Sequence, residues 1–162
     1  MYDLLRPLLE ALGVSDVARL SGSVIGLTQT AEALHMLFFS IVIGCLVVFA
    51  LRLLGLSPTI PVATFARHLI PAIWISLVVL AVTGAIMFAP RATRIPRDQL
   101  FQVKMALLAV ALVSLVYLQA RIRRRADVWD ADGAPLHVKA IAALCLLVSP
   151  VIVVAARMMY AV

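Results

Sequence analysis

Residues 69–90 read LIPAIWISLVVLAVTGAIMFAP, 22 consecutive positions without a formal charge. A helix crossing roughly 30 Å of hydrocarbon needs about 20 such residues, within a working range near 17 to 25. Three further charge-free intervals surround this one: Ala33 to Leu51, Met105 to Ala120 and Ala140 to Ala156, of 19, 16 and 17 residues. The two shorter ones reach spanning length when Lys104, Lys139 and Arg157 extend their charged heads to the interface. Apolar residues run all around each interval with no period-2 alternation, and in lipid the backbone must satisfy its own hydrogen bonds, so each interval predicts a helix. The links Arg52 to Ile60, Arg91 to Gln99 and Arg121 to Leu136 are short, which makes sequential helices antiparallel neighbours. The expected fold is all-α: an integral membrane up-down-up-down four-helix bundle over residues 31–162.

The whole-chain composition agrees. The 162 residues are 64% hydrophobic and 14% charged, with a mean hydropathy of +1.10. A soluble domain carries about 45–50% apolar and about 25% charged residues, so a lipid bilayer is the expected surrounding. Residues 1–30 form a separate segment. Leu4, Leu5, Leu8, Leu9 and Leu12 recur at helical spacing with Asp3, Arg6 and Glu10 between them. That pattern predicts one amphipathic helix lying in the interface, with Pro7 in its first turn or at a bend. The stretch lacks the continuous apolar run of a cleavable signal peptide.

The topology gives two faces. Side A carries the N-terminus, the second link and the C-terminus; side B carries the first and third links. Basic residues are equally numerous on both, but those of side B lie closer to the span ends, where the positive-inside rule operates, so side B is expected to face the cytoplasm. The net charge of +6 flanks spans and is not interleaved with aromatics on a soluble face. Anionic lipid headgroups account for Arg121 to Arg125, and no nucleic acid is expected as a partner.

Few residues offer chemistry. Cys45 and Cys145 are the only cysteines; they sit about 20 Å down their helices from side A and read as small buried hydrophobes. Glu32 and His35 share one helix face at i, i+3 spacing, and an ionisable group inside a span needs an interior partner. A single Glu-x-x-His falls short of a di-metal centre, which needs two such motifs. Lys104 and Arg157 fall within about two turns of the same side. The four form either a self-satisfied ion-pair network or an anion or propionate site with His35 as ligand or proton carrier. Met36, Met87, Met105, Met158 and Met159 also lie near side A. With imidazole, thioethers suit Cu(I) or His/Met ligation of haem iron; alone, they are gap fillers. On side B, His68 and His137 sit on diagonal helices. They either face each other across a b-type haem, with Arg67, Arg121 or Arg123 near its propionates, or rest among headgroups. There is no GxSxG, Gly-rich phosphate loop or HExxH.

The order of motifs resembles a family of small four-helix bacterial inner-membrane proteins with no assigned activity. The matching pieces are Glu32-Ala33-Leu34-His35 followed by Gly44, then Leu51-Arg52-Leu53-Leu54-Gly55-Leu56, and Ala66-Arg67-His68-Leu69-Ile70-Pro71 leading to Trp74. Further on come Thr83-Gly84, Phe101-Gln102-Val103-Lys104, Val128-Trp129-Asp130, and Arg157 with Tyr160. The likeness spans nearly the whole chain. Two positions depart from the family pattern: His68 stands where Arg is usual, and Ala156 where Gly is usual. The first makes His68 incidental and turns attention to Glu32, His35, Lys104 and Arg157. The resemblance implies a bacterial inner membrane, with both termini then periplasmic. More remotely the layout is similar to membrane b-type cytochromes and copper-resistance D proteins, a fold-level analogy.

The leading expectation is a small redox or metal-binding subunit holding a b-type haem or copper near side A. Cofactor contacts are expected from His35, Glu32, Lys104, Arg157, Met105, Met158, His68 and His137, and metal donors from His35, Met36 and Met87. Glu32 would orient or deprotonate His35, and Lys104 and Arg157 would neutralise carboxylates. The rival is a cofactor-free accessory subunit of a larger membrane complex or homo-oligomer. A solute carrier would need broken helices, for which Pro71 and Pro150 are the only candidates.

Overall fold

Each apolar interval is helical until it meets residues that end the run. In the computed structural model, residues 2–159 are described apart from 57, 58 and 94; the side chains of 2–5, 8, 97, 127, 132 and 155–159 lie outside the described set. The chain forms α1 (Tyr2–Gly13), α2 (Asp16–Ser23), α3 (Leu27–Leu54), α4 (Val62–Phe88), α5 (Gln99–Asp132) and α6 (Leu136–Met159), with 3-10 turns at Ala89–Arg91 and Ile95–Arg97. No strand occurs among the described residues. Four segments are long and apolar enough to cross a membrane: Leu27–Leu54, Val62–Arg91, Gln99–Ala126 and Leu136–Val154. This is the architecture of a multi-pass membrane protein.

Each of α3–α6 packs on two of the others: α3 on α4 and α6, and α5 on the same two. The diagonals are therefore α3–α5 and α4–α6, as the short links require. Near side B, Phe49, Leu53, Val62, Leu118, Trp129 and Val138 close a dry cluster, and Val42, Ile73 and Leu115 form a second one. The helices run unbroken through Pro71 and Pro150, so neither proline supplies the discontinuity a carrier would need.

Two expected boundaries differ. The third link is not a loop of 16 residues, because α5 continues through the arginine run to Asp132. Residues 99–132 contain no glycine or proline, arginine is a good helix former, and the breaker comes only at Gly133-Ala134-Pro135. Gly133 takes φ +81, a region costly to other residues. The N-terminal segment is two helices, not one. The Ser15 side chain accepts from the Ala18 N–H at 3.3 Å and caps a new helix, since a side-chain oxygen there satisfies an orphan donor. Together α1 and α2 cross the side A end of the bundle against the Ala89–Arg91 turn, burying Leu9, Ala18, Ala89 and Ala92.

On side B a polar junction fixes three helix ends. Arg52, in the last turn of α3, is only 6% exposed. Its Nη2 donates to Asp130 Oδ1 at 2.7 Å and its Nε to the Ile60 carbonyl at 2.6 Å. The same Asp130 oxygen accepts the Val62 N–H at 2.8 Å, one of the donors that a helix start leaves unpaired. One carboxylate thus ties the end of α3 and the start of α4 to α5. Arg52 is buried while Asp130 is partly open to solvent, so removing the carboxylate strands the guanidinium at about 1–3 kcal/mol. Asp130→Ala is expected to lose about that much stability in detergent unfolding, and adding Arg52→Met to recover part of it by removing the stranded guanidinium. Unchanged unfolding of Asp130→Ala contradicts this.

Candidate functional site

The inward-facing chemistry of side A lies on the seam between α3 and α4. His35 is half-buried, and its Nδ1 is 2.9 Å from Thr83 Oγ1. The Thr83 hydroxyl donates its one proton back to the Val79 carbonyl at 2.7 Å, a common use of Thr inside a helix. Its oxygen has only lone pairs left for the ring, so Nδ1 carries the proton and donates. In the neutral imidazole this leaves Nε2 as an acceptor. Gly84 lies beside the ring: a Cβ built there would sit 3.5 Å from His35 Cε1, an ordinary contact distance.

Lys104, near the start of α5, is half-buried at the same end of the bundle, and no hydrogen bond joins it to His35 among the described residues. Glu32 does not orient the imidazole, because the Nδ1 partner is Thr83; Glu32 is exposed and has no ion-pair partner among the described residues. Met36 and Met105 are 46% and 45% exposed and turn outward, whereas Met87 is half-buried one turn beyond Thr83 on the same face of α4. The side chains of Arg157, Met158 and Met159 lie outside the described residues.

The side B histidines do not face one another. His68 is exposed, and its Nδ1 is bonded to the Thr64 carbonyl of its own helix at 2.9 Å. His137 is exposed and its Nε2 accepts from Arg121 Nη2 at 3.3 Å. A haem held between these two rings is therefore corrected: each is committed to a local partner at the bundle surface. Cys145 is buried, Cys45 is half-buried, and both are free thiols packed in different clusters. No group of three or more His, Cys, Asp or Glu side chains able to hold a metal ion occurs among the described residues.

Thr83 and the Arg52–Asp130 pair were not legible as partners from charge and hydropathy. The available signals were a Thr-Gly pair inside a span and an Asp beside Trp129 at the end of the helix opposite the link that opens with Arg52. No protein-family model, curated protein or solved structure matches the chain.

The bond assignment is open to measurement. In a His68→Gln, His137→Gln background, ¹⁵N spectra at neutral pH are expected to show His35 as the Nδ1–H tautomer. Thr83→Val is expected to mix the tautomers and to cost about 1 kcal/mol, the usual net worth of such a bond. A dominant Nε2–H signal in the parent contradicts it.

Proposed function

We propose that the protein is a membrane-embedded haem-binding subunit that ligates iron through His35 on side A. The observation that carries this reading is the His35–Thr83 bond, which fixes the ring and leaves Nε2 with a lone pair. A ligating histidine typically donates its other ring N–H to a fixed acceptor, which sets tautomer and orientation. The donor chemistry fits haem better than copper. A b-type haem needs one protein imidazole at minimum. A Cu(I) site needs several soft donors, and Met36 and Met105 point outward.

In this reading His35 would hold the iron and Thr83 fixes the ring. Lys104 supplies positive charge for a propionate, with Arg157 its expected companion from α6. Haem, when bound, supplies one-electron chemistry. The residues themselves only bind, orient and exclude water. Side B faces the cytoplasm of a bacterial inner membrane in this reading, following its span-end arginines.

A cofactor-free accessory subunit is the second reading, favoured by one observation: the His35–Thr83 bond already serves as interhelical glue. One experiment separates them. Protein purified after growth with haem supplied is expected to carry one haem per chain, with a reduced-minus-oxidised difference spectrum. His35→Ala is expected to lose it while the helix content is kept and the stability falls by only about 1 kcal/mol, the loss expected for Thr83→Val, which removes the same bond. A colourless, metal-free preparation that co-purifies with a larger assembly overturns the haem reading and supports the second.

A further inference from the structure

Between α4 and α5, toward side B, lies an open groove of about 540 Å³. Its lining includes three arginines, Arg67 on α4 and Arg123 and Arg124 on α5. None of the three has a carboxylate partner among the described residues; the ion pairs there are Arg6–Glu10 and Arg52–Asp130. The neighbouring arginines do not share the groove: Arg121 reaches toward His137 on α6, and Arg125 is absent from the lining. Below the arginines the walls turn apolar at Ile70, Pro71 and Ile122. Trp74 and Gln119 close the inner end, where the indole N–H donates to Gln119 Oε1 at 3.0 Å. Arg67 and Trp74 are seven residues apart on one helix, or about 10 Å along its axis.

We propose that this groove is a binding site for the phosphate of an acidic phospholipid. Guanidinium groups suit phosphate oxygens because they present paired donors in a planar fork. Ala63, in the first turn of α4, also lines the groove. The apolar walls argue for a lipid over a soluble phosphate ester: they continue about two turns inward from the cations, where an acyl chain and glycerol backbone would lie. Basic pockets between membrane helices are a recurring way to hold anionic headgroups. The packing of α4 against α5, looser than that against α3, leaves room without rearrangement. The site is independent of His35 and of any haem.

The test uses the full chain purified in mild detergent, exchanged into vesicles of phosphatidylcholine with or without phosphatidylglycerol, and re-extracted for native mass spectrometry. The wild type is expected to retain phosphatidylglycerol in preference to phosphatidylcholine. Each arginine near the surface contributes roughly fivefold, so Arg67→Gln, Arg123→Gln and Arg124→Gln together are expected to reduce retention at least tenfold. Arg125→Gln, outside the groove, is expected to leave it unchanged. Ala63→Trp keeps every charge but fills the exposed mouth, and is expected to lower retention as well, which covers the case in which the triple variant fails to fold. Equal retention of both lipids, or retention by Ala63→Trp matching wild type, overturns the proposal. Inorganic phosphate is the second arm. Failure of millimolar phosphate to displace the lipid supports a lipid ligand, and groove-dependent phosphate binding without lipid preference overturns it in favour of a soluble ester.

Discussion

A guanidinium this deeply buried is costly without partners, and Arg52 finds them in Asp130 and the Ile60 carbonyl. Asp130 in turn holds the first N–H of α4. The junction therefore fixes how far α3 and α4 can slide past each other. Antiparallel helices in lipid have little else to set register, because their surfaces are almost uniformly apolar and the hydrophobic effect does not distinguish one helix face from another lipid tail. Specific polar bonds and close small-residue contacts carry that information instead.

The side A site follows from that register. His35 is 17 residues before Arg52, about 25 Å along α3, and Thr83 lies the same number of residues beyond Ala66 in the second turn of α4. A slip of one turn would carry the imidazole off Thr83 and off the bare surface of Gly84, onto the Val79 or Met87 side chain. The two polar features are thus coupled through nearly rigid rods, with the arginine clamp at one end and the imidazole seat at the other.

The spans and their antiparallel order were readable because charge is so costly in hydrocarbon that its absence marks each crossing. The extent of α5 was not, because charge ends the membrane-embedded part of a helix without ending the helix: Arg121 to Arg125 continue the coil until Gly133. The N-terminal break was hidden by an unbroken amphipathic pattern, although Ser15-Asp16 carries an N-cap signal. At the site, His35 was identifiable as an ionisable residue in a span and Lys104 as its neighbour at that depth. Glu32 was favoured as the ring's partner because i, i+3 spacing is visible along one helix, whereas the Thr83 contact lies 48 residues away and appears only once two helices are set in register. The side B histidines matched in depth but not in direction, which sequence position does not give.

The central claim is that α3 and α4 are held in the register that brings positions 35 and 83 together. It is tested most directly by proximity cross-linking in native membranes, with Cys45 and Cys145 replaced by serine. Cysteine at position 35 is paired in turn with cysteine at 79, 83 or 87, and a short bifunctional thiol reagent is applied. The account predicts efficient intramolecular linkage for 35 with 83 and little for the two positions one turn away. Preferred linkage to 79 or 87, or none at any of the three, would contradict it.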